Sequence, residues 1–295
     1  MVDSVMIWNE PNNLAHWDYT LDPEWNIFAK MTIEAIQAIR TENPSLNIIL
    51  GGISPVDPDF IANMKSKGVI DCVDGVGIHG FPYDWNHWTV NEWPQKITRI
   101  GEIAKKPVWV TEVGVSSFGA EDVQVIGMEQ SAPLLKENAS RTYWYSLLDL
   151  PRTWEAVAHQ PEAQGNEYIR HFYMGLLRED ATPKLAFYTF VNNADDMGIC
   201  QWFHLNDQRM NLAVELLKKM DIQRVRTGLS WADSIYPGAY KWFDRQMKAL
   251  ENFETCITFC FTPSAHGIAP HHTSPPKTTG RFAEFCASMV KRYMC

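Results

Sequence analysis

The chain has 295 residues, 45% hydrophobic and 21% charged, with a formal net charge of -9. That length fits one α/β barrel of roughly 250 residues or two small domains. The negative balance argues against nucleic acid or an anionic membrane as partner, and no apolar run is long enough to span a bilayer.

Met1 leads into a strand with no secretory leader, so a cytoplasmic protein is expected. Reduced thiols are expected too, because Cys72, Cys200, Cys256, Cys260, Cys286 and Cys295 make no CxxC pair. Cys256 and Cys260 are four apart in a strand pattern, which predicts one shared face. The chain also has 12 tryptophans. About half are expected in the core, and the rest suit stacking on the C–H faces of sugars.

The first apolar run, Val5-Met6-Ile7, ends in Trp8-Asn9-Glu10-Pro11-Asn12. A helical spacing covers Pro23 to Arg40, with Asp22 as N-cap and Pro23 at the first helical position. A strand over Asn47 to Gly52 precedes a helix over Asp57 to Lys67, stopped by Gly68. The strand Cys72 to His79 leads into an aromatic loop and a helix over Glu92 to Lys105. Val108-Trp109-Val110-Thr111 is a strand delivering Glu112, and a Gly/Ser-rich loop over 113–125 precedes a helix from about Ile126 to Ser140, troubled by Pro133. The strand Arg141 to Leu147 is followed by a long polar excursion and a helix from Thr182-Pro183-Lys184 to about Asn192.

After the short polar segment 193–197 the rhythm restarts. The strand Gly198 to Phe203 precedes a helix over Asp207 to Met220, and the strand Gln223 to Thr227 a helix over Tyr240 to Asn252. The strand Thr255 to Phe261 precedes a helix over Gly280 to Tyr293. Eight strands alternating with eight helices predict an α/β fold, a (β/α)8 TIM barrel. An open doubly wound sheet is the alternative, but no GxGxxG or Walker sequence is present.

Glu10 and Glu112 both fall at the C-terminal ends of predicted strands, where barrel enzymes place their chemistry. Paired carboxylates are what glycosidic bond cleavage needs. With these residues the chain resembles a clan A glycoside hydrolase, a family of retaining glycosidases, most of all the family 39 β-xylosidase type. Trp8-Asn9-Glu10-Pro11-Asn12 matches that clan's acid/base strand, its fourth. Val108-Trp109-Val110-Thr111-Glu112 matches its nucleophile strand, its seventh.

The order departs from the family. The fourth-strand motif comes first, and the segments like strands one to three come last. The chain therefore resembles a circular permutant, a single barrel over 1–295 with strands four to eight in 1–192, a joining segment at 193–197 and strands one to three in 198–295. A closed barrel tolerates such a cut.

The resemblance implies roles. Glu10 is the expected acid/base and Glu112 the nucleophile. Arg226 stands where the clan keeps an arginine near the nucleophile, and its proximity would keep Glu112 charged. Asn9 matches the asparagine that bonds the sugar 2-hydroxyl. His79 is expected beside nucleophile or sugar, Trp144 as the subsite floor, and Trp202 and Trp231 as further substrate contacts. Weaker candidates are His204, Asp233, Tyr83, Trp85 and His266.

His266 with His271-His272 lacks HExxH spacing and a carboxylate nearby in sequence, so no metal is expected, nor any organic cofactor. A retaining hydrolase of β-linked glycosides, with carbohydrate as its partner, is the expectation. Transglycosylation and a non-catalytic sugar-binding barrel are the alternatives, the latter because the resemblance extends to barrels fused to nucleotide-sugar oxidoreductase-like domains. Specificity would lie in loops 82–93, 149–167 and 262–279.

Overall fold

The computed structural model describes residues 2–152, 169–193 and 197–294. Eight strands close into a barrel: β1 Val2–Ile7, β2 Asn47–Ile53, β3 Gly75–Gly80, β4 Val108–Val113, β5 Arg141–Tyr145, β6 Gly198–Cys200, β7 Arg224–Ser230 and β8 Glu254–Cys260. Each pairs in parallel with the next, and β8 returns to β1. The main helices follow the strands in turn: α1 Asn26–Glu42, α2 Pro58–Ser66, α3 Trp93–Ala104, α4 Glu121–Asn138, α5 Leu185–Asn193, α6 Asp207–Lys219, α7 Ala239–Ala249 and α8 Gly280–Tyr293. The (β/α)8 barrel is thus present, and no described helix is long and apolar enough to cross a membrane.

Several boundaries differ from the sequence expectation for local reasons. α1 starts at Asn26, yet Asp22 still caps it. The chain turns back through Trp25, and the Asp22 carboxylate accepts from the Ile27 and Phe28 amides at 3.0 and 2.9 Å. α4 begins at Glu121, because Glu121 and Asp122 suit the positive end of a helix. It then runs through Pro133, giving up one backbone bond. Val69–Cys72 is a helical turn rather than the start of β3, and β6 has three residues. Residues 153–168, most of one specificity loop, and 194–196 of the joining segment lie outside the described residues.

Apolar burial falls into two main shells. The larger packs strand side chains against the helices. The smaller, Met6, Ile49, Trp109, Tyr143, Cys200 and Cys256, comes from strands alone and fills the barrel interior. Cys256 belongs to the inner shell and Cys260 to the outer. β8 pairs with β7 without a break from Glu254 to Cys260, and Phe261 beyond it takes a left-handed φ of 65°. At the strand starts, Arg141 covers the Trp109 ring at 4.4 Å and pairs with Asp3 at 2.6 Å. The site lies at the other end.

Candidate active site

Three departures from regular strand backbone build the mouth of the barrel. The first is in β4. Ile78 pairs with Val110 but His79 with Glu112; on the other side Val110 pairs with Thr142 but Val113 with Trp144. Both ladders place one extra residue in β4. Such a bulge re-aims a side chain, and here it brings Glu112, three residues beyond the inward Trp109, to the interior as well.

The second is in β2, whose ladder with β3 slips between Leu50 and Ile53. A Cβ on Gly52 would lie 1.8 Å from His79 Nε2, so the glycine there leaves room for the imidazole. The third follows β1, where Trp8 and Glu10 have φ of 67° and 47°. Non-glycine residues hold such backbone only where the surroundings impose it. Trp8 is fully buried against Trp17 and Phe282, and its indole donates to the His16 carbonyl at 3.0 Å. This kink brings both Asn9 and Glu10 to the mouth.

The result is a compact constellation. His79 Nδ1 lies 2.7 Å from Glu10 Oε1 and 3.7 Å from Glu112 Oε2. One oxygen of each glutamate and a His79 nitrogen all lie within 4.8 Å of one another. Burial drives His79 down to about 3 against the pull of the Glu112 carboxylate. The ring is therefore neutral, and its Nδ1–H donates to Glu10 while Nε2 finds no partner. Glu10 Oε2 also meets Asn13 Nδ2 at 3.0 Å and His16 Nε2 at 3.2 Å.

Arg226, fully buried, donates to Glu112 Oε1 at 2.5 Å, to Asn9 Oδ1 at 2.7 Å and to Cys200 Sγ at 3.1 Å. The two glutamates are largely buried, each 7% exposed.

The same three residues are the group among those described that would hold a metal ion. Two contacts oppose it: the Glu10–His79 pair is at direct hydrogen-bond distance, and the Arg226 cation occupies Glu112 Oε1. His266, His271 and His272 form no such group; His271 pairs with Asp18 of the β1–α1 loop at 3.3 Å.

The structure thus gathers Glu10, Glu112, Asn9, His79 and Arg226. Trp202 is half-buried over Gly228, where a Cβ would come within 1.9 Å of its ring, and it borders the inner shell. Trp144 is a correction: it is fully buried in the helix-facing shell, because strand alternation turns it away from the inward Tyr143. Trp231 is a second correction. It is 5% exposed, stacked on His266 at 5.5 Å and packed on Phe282, so it offers a sugar little surface.

Of the weaker candidates, Trp85 stacks on His171 at 4.3 Å and on Phe81 at 4.4 Å. Tyr83 reaches away to Gln130, Asp233 lies beside Ser230 with its carboxyl raised by burial, and burial lowers His204 to about 3.

Sequence reasoning missed Tyr145, His16 and Asn13. Tyr145 is the inward neighbour of Trp144, and strand parity from Tyr143 would have found it. Burial raises its phenol, and the Glu112 and Glu10 carboxylates add to the rise. His16 and Asn13 carry no motif. Their one signal is an unusually long stretch between β1 and α1 at the end of the barrel that carries Glu10.

No family model matches the chain, and no curated protein does. Among solved structures, a GH2 β-galacturonidase from Eisenbergiella tayi aligns with a TM-score of 0.36 at 16% identity, over 52% of this chain and 34% of that one. A GH128 endo-β-1,3-glucanase from Amycolatopsis mediterranei aligns at 0.34 and 13%, over 59% and 73%. The carboxyl transferase domain of pyruvate carboxylase from Rhizobium etli aligns at 0.47 and 8%, over 98% and 47%. The first two are glycoside hydrolases, and the chain spans about a third of the first one's length. Likenesses this low decide nothing about chemistry, since barrels host many reactions.

Proposed function

We propose that the chain is a glycoside hydrolase that cleaves a β-glycosidic bond with retention, through a glycosyl-enzyme intermediate on Glu112. The observation that supports this most is the approach of Glu10 and Glu112 oxygens to within 4.8 Å across the barrel mouth. Retaining enzymes hold their carboxyl groups about 5–5.5 Å apart, whereas inverting ones need about 6.5 Å or more to admit water.

The roles follow from the neighbours. Glu112 has a full cation at one oxygen, which suits an attacking carboxylate. Glu10 accepts from the Asn13 amide and the neutral His79 ring, a setting that suits a group alternating between acid and base. In the first step a Glu112 oxygen bonds to the anomeric carbon while that carbon's bond to the glycosidic oxygen breaks. The departing oxygen takes the Glu10 proton and leaves as an alcohol. In the second step Glu10, now a carboxylate, takes a proton from water as its oxygen displaces Glu112. Asn9 gives its oxygen to Arg226 and turns its nitrogen to His16, so one amide hydrogen remains for a sugar hydroxyl. Tyr145 and Trp202 take over the platform role expected of Trp144.

The strand order also supports our reading of the chain as a rotated version of the clan A order. β1 pairs with β8, and the Asn43 side chain after α1 holds the Met294 carbonyl at 2.5 Å, so the first and last βα units are neighbours.

A 2-deoxy-2-fluoro glycoside with an activated leaving group tests the mechanism. Mass spectrometry is expected to find one glycosyl group on the peptide bearing Glu112. A label on Glu10 would reverse the assignment. Failure across a broad panel of sugars that nonetheless bind would make the barrel a binding module.

A further inference from the structure

The mouth contains a histidine that the proposed mechanism does not use. His16 lies six residues beyond Glu10, with Nε2 3.2 Å from Glu10 Oε2 and Nδ1 3.3 Å from Asn9 Nδ2. Its ring and its backbone each have a partner. It stacks on Phe261 at 6.0 Å with planes 24° apart, and its carbonyl takes the Trp8 indole N–H.

The direction of every bond along this path follows from one residue. Arginine has five donors and no acceptor. Arg226 NH2 donates to Asn9 at 2.7 Å, so the atom facing it is the amide oxygen. The Asn9 nitrogen then faces His16 Nδ1, and an amide nitrogen only donates. His16 Nδ1 must accept, so the proton of the neutral ring sits on Nε2, aimed at Glu10. Swapping the Asn9 amide would set its NH2 against a guanidinium. The other nitrogen of the same guanidinium holds Glu112 at 2.5 Å.

We infer that His16 is a positioning residue, locked as the Nε2–H tautomer by the path Arg226 to Asn9 to His16 to Glu10, which ties the nucleophile and the acid/base into one hydrogen-bonded unit. His16 fixes Oε2 of Glu10 as His79 fixes Oε1. It steadies the carboxylate that takes the proton from water in the second step. The titratable groups facing the ring are Glu10, His79 and His171, with His272 behind Phe261; charge on His16 works against both His79 and His171.

The kinetic part of this inference rests on the proposed glycosidase reaction; the tautomer does not. His16→Gln keeps a donor toward Glu10, whereas His16→Asn keeps an acceptor for Asn9 and loses that donor. With a glycoside of ordinary reactivity, His16→Asn is expected to lose roughly ten- to hundredfold in kcat, the worth of one hydrogen bond to a charged group. The basic limb of its pH profile, set by loss of the Glu10 proton, is expected to move to higher pH, and His16→Gln is expected to stay near wild type. Nitrogen NMR of the full chain labelled with 15N-histidine, assigned by the loss of one ring in His16→Asn, is expected to show His16 protonated at Nε2.

A ring protonated at Nδ1 overturns the inference. So do two folded variants with wild-type rates and profiles, or two that lose equal activity with the profile unmoved. If the wild type turns over no glycoside yet shows the Nε2–H ring, the hydrogen-bonded unit stands and the proposed reaction falls.

Discussion

The barrel interior holds two ion pairs of the same chemistry, one at each end, in contrasting settings. At the strand starts, Arg141 pairs with Asp3, the two side chains 18% and 27% exposed. At the mouth, Arg226 pairs with Glu112 at 0% and 9%. The lower pair includes a single slip, at Asp3 between β1 and β8, whereas the upper depends on the β4 bulge, the Gly51-Gly52 slip and the left-handed turn after β1. Toward the strand starts, inward strand side chains supply a closed apolar plug. Irregular backbone at the other sets charges face to face that a regular barrel would point apart.

The largest difference is expected in turnover. Glu112→Gln keeps the shape and removes the attacking oxygen anion, and kcat is expected to fall by about 10³-fold or more. Asp3→Asn at the other end is expected to leave kcat unchanged. Equal losses at both ends, measured on one glycoside, would show that the mouth is not where the chemistry happens.

Stability is expected to divide the ends next. Arg226→Met leaves the Glu112 carboxylate buried without its cation, a change that typically costs about 3–5 kcal/mol in urea unfolding. Arg226→Met with Glu112→Gln removes both charges and is expected to regain much of that loss. A double variant no better than the single would mean that packing, not charge, holds Arg226.

The two ends also differ in how far the sequence revealed them. The alternation of short apolar runs with amphipathic segments is a strong signal, and it located all eight strands and their helices within a few residues. Glu10 and Glu112 were legible because motif and strand end coincide. Trp144 was misplaced because aromatic character was weighed above strand parity. The Glu112 bulge was invisible, since one extra residue in a strand changes no composition. Asn13 and His16 were invisible because their roles arise from a loop folding back on Glu10.

Acid is expected to act through buried neutral histidines near the mouth. Burial lowers His79 to about 3 and His171 to about 4. Unfolded histidine takes up a proton near pH 6.5, well before either folded ring does. The unfolded state thus binds more protons over this interval, and stability falls as pH drops from about 6.5 toward 4, by about 1.4 kcal/mol per pH unit for each ring. His79→Gln is expected to remove one proton's worth of that slope. An unchanged slope would mean that His79 already exchanges protons in the folded state.

The smallest effect is expected from Arg141→Met. Its partner Asp3 keeps access to water when the guanidinium is lost, so no buried charge is stranded, and partly exposed pairs are worth about 0.2–1 kcal/mol. The methionine stem still covers the Trp109 ring that the guanidinium now lies over at 4.4 Å, leaving the inner shell sealed. The expected loss in urea unfolding is therefore about 1 kcal/mol or less, with kcat and its pH profile unchanged. A loss as large as that of Arg226→Met would show the lower end to be as finely balanced as the mouth, and the difference in exposure between the two pairs would no longer explain the difference in their worth.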